Sequence, residues 1–265
     1  MMMKQKVLFL LLIFSFFSLA SYAQEKEASL IRPLKIDKAG LSGLGLKPIK
    51  LKQEPDRKFF QRNLYRGEEI SVYIVSSQSW TTRMDNFSID EYVYIYHGKS
   101  RAKADGGEDL YFQSEEHFAI PKGFTGEWEV MAADNIHYEL SVITTQRAPE
   151  VKRSKGQLPK LFDKDLLSGI HIDWKGKDTY KEELFVGDEL RISVLTEKPR
   201  IVQITVPAKE QLISLLSGHL IVKDASGEEH KFYAGDLFII PKDFTGNWES
   251  QGHTLAKYLV IEQTN

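Results

Sequence analysis

The chain has 265 residues, of which 27% are charged, and its formal net charge is −2 at neutral pH. Lysine and glutamate are interspersed along it without a basic cluster, so we expect no surface for nucleic acids or other polyanions. It contains no cysteine, which predicts a fold that needs no disulfide bonds.

The first 23 residues are typical of a secretory signal peptide. Lys4 and Lys6 precede an apolar run from Val7 to Leu19, and Ser21 and Ala23 place small side chains at the cleavage positions. This run is short for a membrane-spanning helix, which needs about 20 residues. We therefore expect residues 1–23 to be removed and the mature chain to be periplasmic or secreted, without membrane attachment. An uncleaved membrane anchor is the alternative.

The remainder of the sequence contains an internal duplication. Residues 112–129 are similar to residues 232–249, with ten of the eighteen positions identical, and the same offset of 120 residues pairs Gly98 with Gly218. Units of solenoid proteins have about 20–50 residues, so a period this long indicates whole domains. The sequence predicts an N-terminal unit at 24–145 and a C-terminal unit at 161–265. Residues 146–160, with prolines and basic residues and no apolar period, are the predicted linker.

Both units show the pattern of β-strands. Short runs of β-branched and aromatic residues are bounded by Gly, Asp, Pro and Asn, and none has a sustained helical stripe. The stretches 105–107 and 225–227 are typical of hairpin turns. Each unit is therefore predicted to be an all-β sandwich or barrel. The predicted strands include 69–75, 92–96, 118–120 and 138–143, with partners at 189–195, 212–216, 237–240 and 258–261.

The segment from Gly235 to Trp248 resembles the second motif of cupins, and its Phe-Thr-Gly-x-Trp ending resembles the cupin subfamily of EutQ-like proteins and (S)-ureidoglycine aminohydrolases. The resemblance covers about residues 64–142 and 184–261. It implies two tandem cupin barrels, double-stranded β-helices of the jelly-roll type, and hence a bicupin. The fold alone implies no particular reaction, because cupins host unrelated chemistries.

Most metal-binding positions implied by this resemblance carry other residues. The family motif places a His pair near residues 85–87 and 205–207, and a third His at Gly126 and Gly246; none of these is a histidine. Its glutamate position holds Glu91 in the first unit and Gln211 in the second. A transition-metal site needs about three or four converging ligands. We therefore expect no metal and no other cofactor, with a divalent metal as the alternative.

Glu91 and His137 are the candidate catalytic residues. An acid inside an apolar barrel has its pKa raised by desolvation, so Glu91 could act as a general base or bind an amine. His137 pairs with Lys257 at the repeat offset, and a basic side chain there in both units is expected to point into the barrel and to face Glu91. The alternatives are a solvent-facing His137 and an exposed Asp90-Glu91 pair. The other histidines, at positions 97, 117, 171, 219, 230 and 253, are expected to be ordinary surface or hydrogen-bonded residues.

Aromatic and polar residues near these positions are the candidate ligand-binding set. Rings with polar edges suit sugars, ureides and other flat polar molecules. The tyrosines of the first unit are replaced in the second by Leu212, Ser214 and Leu216, which favours the first unit as the ligand site; the alternative is that these tyrosines pack the two units together. The set comprises Tyr92, Tyr94, Tyr96, Trp128, Tyr138, Gln211, Trp248, Lys257 and Tyr258.

The sequence thus predicts an exported bicupin that lacks the usual metal-ligand histidines and binds a small polar molecule in its N-terminal barrel. The alternative function is a metal-dependent hydrolase similar to (S)-ureidoglycine aminohydrolase. Whether the protein is an enzyme stays open at this point. A homodimer formed through edge strands is a further possibility, because pairing shields their unpaired backbone groups.

Overall fold

The computed structural model describes residues 30–51, 54–146, 157–168, 172, 174, 176–205, 209–252 and 255–264. The predicted signal peptide, most of the predicted linker, His171 and His253 lie outside these residues. Residues from Arg32 onward form one compact unit. None of the described helices is long and apolar enough to cross a membrane.

The described chain is almost entirely β-structure, which confirms the predicted fold class. The first half has one helical turn, α1 (Lys38–Leu41), and the second has another, α2 (Lys164–Ser168). The strands of the first half are β1 (Leu34–Lys35), β2 (Lys47–Ile49), β3 (Phe59–Arg66), β4 (Ile70–Ser77), β5 (Trp80–Met84), β6 (Glu91–His97), β7 (Lys99–Ala104), β8 (Asp109–Gln113), β9 (His117–Ile120), β10 (Gly126–Met131) and β11 (His137–Thr144).

The second half repeats this order of elements among the described residues, except that no strand corresponds to β2. Its strands are β12 (Lys160–Leu161), β13 (Thr179–Val186), β14 (Leu190–Glu197), β15 (Arg200–Ile204), β16 (Gln211–Ser217), β17 (His219–Asp224), β18 (Glu229–Tyr233), β19 (Leu237–Ile240), β20 (Gly246–Gln251) and β21 (Ala256–Gln263).

Each half folds as two antiparallel sheets. The first half has a large sheet of order β12-β9-β6-β11-β4-β3-β2 and a small sheet of order β5-β10-β7-β8. The second half has β1-β19-β16-β21-β14-β13 and β15-β20-β17-β18. Residues that alternate along each strand point between the two sheets of a half and form its core. These are two tandem jelly-roll barrels, as predicted.

The first strand of each half pairs with the large sheet of the other half. Leu34 of β1 pairs with Ile239 of β19, whereas Leu161 of β12 pairs with Phe118 of β9. In this way β9 and β19 each gain a second partner strand, which satisfies backbone groups that they would expose as edge strands. The domain limits drawn from the repeat stay a prediction, but strand pairing crosses between the halves.

The large sheets of the two halves pack against each other through their outer faces. The apolar cluster there holds side chains from both halves and includes Ile70, Val72, Leu140, Leu190, Ile192 and Leu259. Packing of this kind leaves the inner faces of the barrels free to form separate cavities. The burial of apolar area at this interface is the main contribution to holding the halves together.

Two buried carboxylates, one from each half, hold the strand turns of the opposite half. Asp90 accepts hydrogen bonds from the backbone N–H groups of Glu189 and Leu190, at 2.6 and 3.2 Å. Its repeat partner Glu210 accepts from the N–H groups of Glu69 and Ile70, both at 3.0 Å. Both acids are almost completely buried. The arrangement is reciprocal, as expected for a duplicated domain that packs against its own copy.

The repeat offset changes before the last strand of each half. Residues 132–136 separate β10 from β11, but only residues 252–255 separate β20 from β21. His137 consequently lies opposite Ser77, while Ala256 takes the corresponding place opposite Glu197. The predicted pairing of His137 with Lys257 is therefore wrong, since a one-residue slip reverses the face to which a strand residue points.

Candidate functional site

A cavity of about 500 Å³ lies inside the first barrel, between its two sheets. Its wall is largely aromatic and apolar, with contributions from Phe59, Trp80 and Trp128. This combination of a mostly apolar wall with few convergent polar groups is typical of small-molecule sites. The wall also includes the polar side chains of Arg57, Gln61, Tyr73, Glu91, Glu139 and Ser141.

Glu91 points into this cavity because of its place on β6. Side chains alternate along a strand, so Glu91 and Val93 face the interior while Tyr92 faces outward. The Ser141 hydroxyl, from the neighbouring β11, donates a hydrogen bond to Glu91. The alternative of an exposed Asp90-Glu91 pair is wrong, because Asp90 is buried between the halves and Glu91 in the barrel.

Burial raises the pKa of Glu91 to about 7, with a further rise from the nearby Glu139 carboxylate and an opposing effect of the Ser141 hydrogen bond. Near neutral pH the group is thus divided between its acid and its carboxylate form. A carboxyl group in this range can accept a proton from a ligand or donate one to it. The direction of this shift is the one predicted for an acid inside the barrel.

His137 is buried inside the first barrel, where it supports Glu139. Its Nε2 lies 2.6 Å from Oε2 of Glu139, and its ring is 1% exposed. Its Nδ1 has no hydrogen-bond partner among the described residues. The solvent-facing alternative is wrong. The predicted contact with Glu91 is also not what the structure shows, because His137 binds Glu139 and does not line the cavity.

Arg57 lies at the mouth of the cavity. It also lines an outer cavity of about 530 Å³, so it stands where the two meet. Its guanidinium carbon is 4.8 Å from the centre of the Phe59 ring and 3.2 Å from that of Trp80, and its Nη1 donates to Glu54 at 3.2 Å. Burial lowers the pKa of Arg57 to about 10, which leaves it charged at neutral pH.

Sequence reasoning missed Glu139 and Arg57. Glu139 could have been found, because it lies two residues after His137 on one strand and so shares its face. Arg57 precedes β3 in a connecting segment, where no period indicates which way a side chain points.

The predicted aromatic set divides between two faces of the first barrel. Trp128 lines the cavity, but the three tyrosines of β6 and Tyr138 point outward, so their predicted place inside the barrel is wrong. Tyr92, Tyr94 and Tyr96 alternate with Glu91 and Val93, and therefore cannot share their face. They pack at the interface between the halves, in agreement with the alternative prediction.

The second barrel has a smaller cavity, of about 240 Å³. Gln211 and Trp248 line it, as does Tyr258. Gln211 Nε2 donates to Glu262 at 2.7 Å, and Trp248 Nε1 donates to Glu197 at the same distance. The predicted inward position of Lys257 is wrong, since its Nζ leaves the barrel and donates to the backbone oxygen of Ser168.

The residues at the expected metal position of the first barrel do not fit a metal ion. At Gly126 a Cβ atom would lie 2.4 Å from the Lys103 carbonyl oxygen and 2.9 Å from the Phe124 ring, so the space for a histidine is filled. Asp85 is exposed and forms an ion pair with Arg83. Among the described residues, Glu91 therefore lacks the converging ligands that a cupin metal needs.

One other group of described residues has ligand atoms within 4.8 Å of one another, namely Asp224, Glu228 and His230. It lies on the hairpin of β17 and β18, outside both cavities. Arg32 forms ion pairs with Asp224 at 3.5 Å and Glu228 at 2.9 Å. These charges are therefore already compensated within the chain.

A duplicated jelly roll with a site between its two sheets is the architecture of the cupin superfamily. The family model of the EutQ-like cupin domain matches residues 66–138 and 198–258, once in each half and over half of the chain together. The chain therefore belongs to the EutQ-like cupin family, and it is a bicupin. No curated protein matches it.

Solved structures agree with this assignment of the fold. A protein of unknown function from Pseudomonas syringae pv. tomato str. DC3000 has a TM-score of 0.60 and 14% identity, over 87% of this chain and 98% of that one. Protein Ylba from E. coli has a TM-score of 0.57 and 13% identity, over 92% and 96%. A cupin 2 conserved barrel domain protein from Leptotrichia buccalis has a TM-score of 0.57 and 10% identity, over 89% and 98%. At these identities the similarity shows the fold alone.

Proposed function

We propose that the protein is an exported bicupin that binds a small polar molecule in the cavity of its N-terminal barrel, without the usual cupin metal. The observation that carries this proposal is the pair of acids, Glu91 and Glu139, that faces one cavity with aromatic walls. Burying two carboxyl groups is unfavourable unless donors meet them. Ser141 and His137 each bind one oxygen of these acids, and a ligand that enters the cavity with N–H or O–H groups would supply further donors.

The charges around the cavity indicate which ligands suit it. Glu91 and Glu139 favour an amine, amide or ureide nitrogen deep in the barrel. Arg57 at the mouth has a buried Nε without a hydrogen-bond partner among the described residues, so it favours a carbonyl or carboxylate oxygen. Any proton transfer would rest on Glu91, which touches the cavity. His137 would act as a positioning residue through Glu139.

Thermal-shift measurements test this proposal with two matched tryptophans. Small amines, amides, ureides, amino-acid derivatives and sugars are screened against the wild-type protein, Trp128→Ala and Trp248→Ala. Each variant is compared with itself in the presence and absence of compound. We expect a compound that stabilises the wild type to stabilise Trp248→Ala as well, because the second cavity is smaller and its Gln211 and Trp248 side chains already have partners. Trp128→Ala should lose the effect.

Equal loss of ligand-induced stabilisation in Trp128→Ala and Trp248→Ala would contradict the assignment of the binding site to the first barrel. If no compound of these classes stabilises the wild type, the proposed ligand class is wrong. Glu91→Gln tests the role of the acid separately. Glutamine is the residue at the equivalent position of the second barrel, Gln211, and it has nearly the same volume as glutamate.

The alternative is a metal-dependent hydrolase similar to (S)-ureidoglycine aminohydrolase. One observation favours it, namely that Glu91 occupies the family's glutamate position and points into the cavity. Elemental analysis of the protein, purified without chelator or an affinity-metal column, separates the two. About one Mn, Fe, Ni or Zn per chain would favour the hydrolase, and no metal after incubation with these ions would contradict it.

Export is a separate part of the proposal, supported by the basic and apolar pattern of the first 23 residues. N-terminal sequencing of the protein from the periplasmic or culture fraction tests it. We expect the mature chain to begin at Gln24. Recovery of the intact N-terminus from the cytoplasm would contradict export.

A further inference from the structure

A separate cavity of about 290 Å³ lies between the two barrels, outside both barrel interiors. Its first wall is the outer face of β6, with Tyr94 and Tyr96, next to His117 of β9. Its second wall is the outer face of β16, with Ser214 and Leu216. We call this cavity the inter-barrel cleft. None of its lining residues belongs to the cavity of the first barrel.

The cleft exists because the duplication is asymmetric at this interface. At the repeat offset, Ser214 corresponds to Tyr94 and Leu216 to Tyr96. The large sheets of the two halves face each other, so the tyrosines of one half lie opposite smaller side chains of the other. Protein interiors are normally close-packed. A cleft at a place where large residues meet small ones is therefore a specific feature of this chain.

The wall of the first half is a group of aromatic rings. The rings of Tyr94 and Tyr96 are edge-on, with their centres 4.8 Å apart. The rings of Tyr94 and His117 have centres 4.4 Å apart. Such rings offer both faces and edges to a further aromatic ring, which prefers offset-stacked or edge-to-face contact.

All titratable groups that line the cleft are uncharged at neutral pH. Burial lowers the pKa of His117 to about 4, and its Nδ1 lies 2.7 Å from the Tyr92 hydroxyl. Burial raises the pKa of Tyr96, so its hydroxyl stays protonated. The lining residues include no Asp, Glu, Lys or Arg. A charged ligand would lose its hydration here without meeting an opposite charge.

We propose that the inter-barrel cleft is a second binding site, for an uncharged molecule with a single aromatic ring and a polar edge. The ring would pack on Tyr94 and Tyr96, and the Ser214 hydroxyl would be a hydrogen-bond partner of the polar edge. The volume of about 290 Å³ suits one ring rather than two. This inference does not depend on the ligand of the first barrel.

Ligand-observed NMR with phenol and nicotinamide as neutral probes tests the site. Benzoate and benzylamine serve as charged probes of similar size, and glucose as a non-aromatic ring. We expect saturation transfer to the neutral aromatic probes and little to the others. Ser214→Tyr gives the second half the side chain that the first half has at the equivalent position, Tyr94. This variant should bind the neutral probes at least tenfold more weakly.

Ser114→Tyr is the matched control, because Ser114 is exposed and lies outside the cleft. It should bind the probes like the wild type. If Ser214→Tyr does not fold, Leu216→Tyr fills the same cleft and replaces it. The proposal would be overturned if the folded cleft variant bound the neutral aromatic probes as well as the wild type does. It would also be overturned if the wild type bound the charged probes equally well, or bound none of the probes.

Discussion

The two barrels share their strand order but differ in what they enclose. The first holds a cavity of about 500 Å³ faced by Glu91, Glu139 and Arg57, whereas the second holds about 240 Å³ in which Gln211 and Trp248 already have partners. The larger cavity is also the one that two acids face, so the difference favours the first barrel as the place to look for function.

The same comparison shows what the halves retain in common. Asp90 and Glu210 occupy equivalent positions and make equivalent hydrogen bonds across the interface. The proposed ligand site involves inward-facing residues of one barrel, whereas the packing of the halves depends on both copies. The interface is nearly symmetric at these acids, while the barrel interiors differ.

The largest effect is expected from removing the interface carboxylates. Asp90→Ala leaves the N–H groups of Glu189, Leu190 and Lys122 without their acceptor, and Glu210→Ala does the same to Glu69 and Ile70. We expect each change to lower the free energy of unfolding by about 3–5 kcal/mol, measured by urea denaturation.

Asp85→Ala is the control for these variants, because Asp85 is exposed. It should change the free energy of unfolding by less than about 1 kcal/mol. A loss below about 1 kcal/mol for both Asp90→Ala and Glu210→Ala would show that water replaces the carboxylates and that the symmetric acids are not structural.

The next effect concerns the pH dependence of the first barrel. The folded-state pKa of Glu91 is raised to about 7, so between its unfolded-state value and pH 7 the folded protein binds more protons than the unfolded protein. Stability from this group is present at low pH and is lost as the pH rises through about 7. The loss is on the order of 3 kcal/mol between pH 4.5 and 8.

Glu91→Gln should remove this dependence, so the variant should lose less stability than the wild type between pH 5 and 8. Urea denaturation at both pH values measures the difference. Glu108→Gln is the matched control, because Glu108 is exposed on a hairpin turn. The same slope in Glu91→Gln and in the wild type would mean that Glu91 does not titrate in this range.

The fold could be predicted from the sequence because two independent signals were present. The repeat indicates the domains, and the turn residues indicate where strands begin and end. The sequence was less informative on the small sheets, and β7 was not among the predicted strands. Its outward residues Lys99, Arg101 and Lys103 are charged, so its apolar pattern is weak. In the site, Glu91 was placed correctly because the motif fixed its distance from Gly98.

Errors in the predicted site have one physical cause. The side-chain direction on a strand reverses with every residue, so a set that contains both Glu91 and Tyr92 cannot face one cavity. The loop between β20 and β21 is one residue shorter than the loop between β10 and β11, so His137 and Lys257 are not equivalent and point to opposite faces. The repeat alone could not locate this difference in length, because loops tolerate insertions and deletions without a sequence signal.

The smallest effect tests this corrected register. Tyr138 and Lys257 are now equivalent, and both bind a backbone oxygen at the end of the helical turn of their own half. The Tyr138 hydroxyl donates to Leu41 at 2.5 Å, and Lys257 Nζ donates to Ser168. We expect Tyr138→Phe and Lys257→Met each to lower the free energy of unfolding by about 0.5–1.5 kcal/mol, since each removes one partly exposed hydrogen bond.

If His137 and Lys257 were equivalent instead, Lys257→Met would replace a side chain buried inside a barrel. A loss above about 3 kcal/mol for Lys257→Met, beside a small one for Tyr138→Phe, would therefore contradict the register.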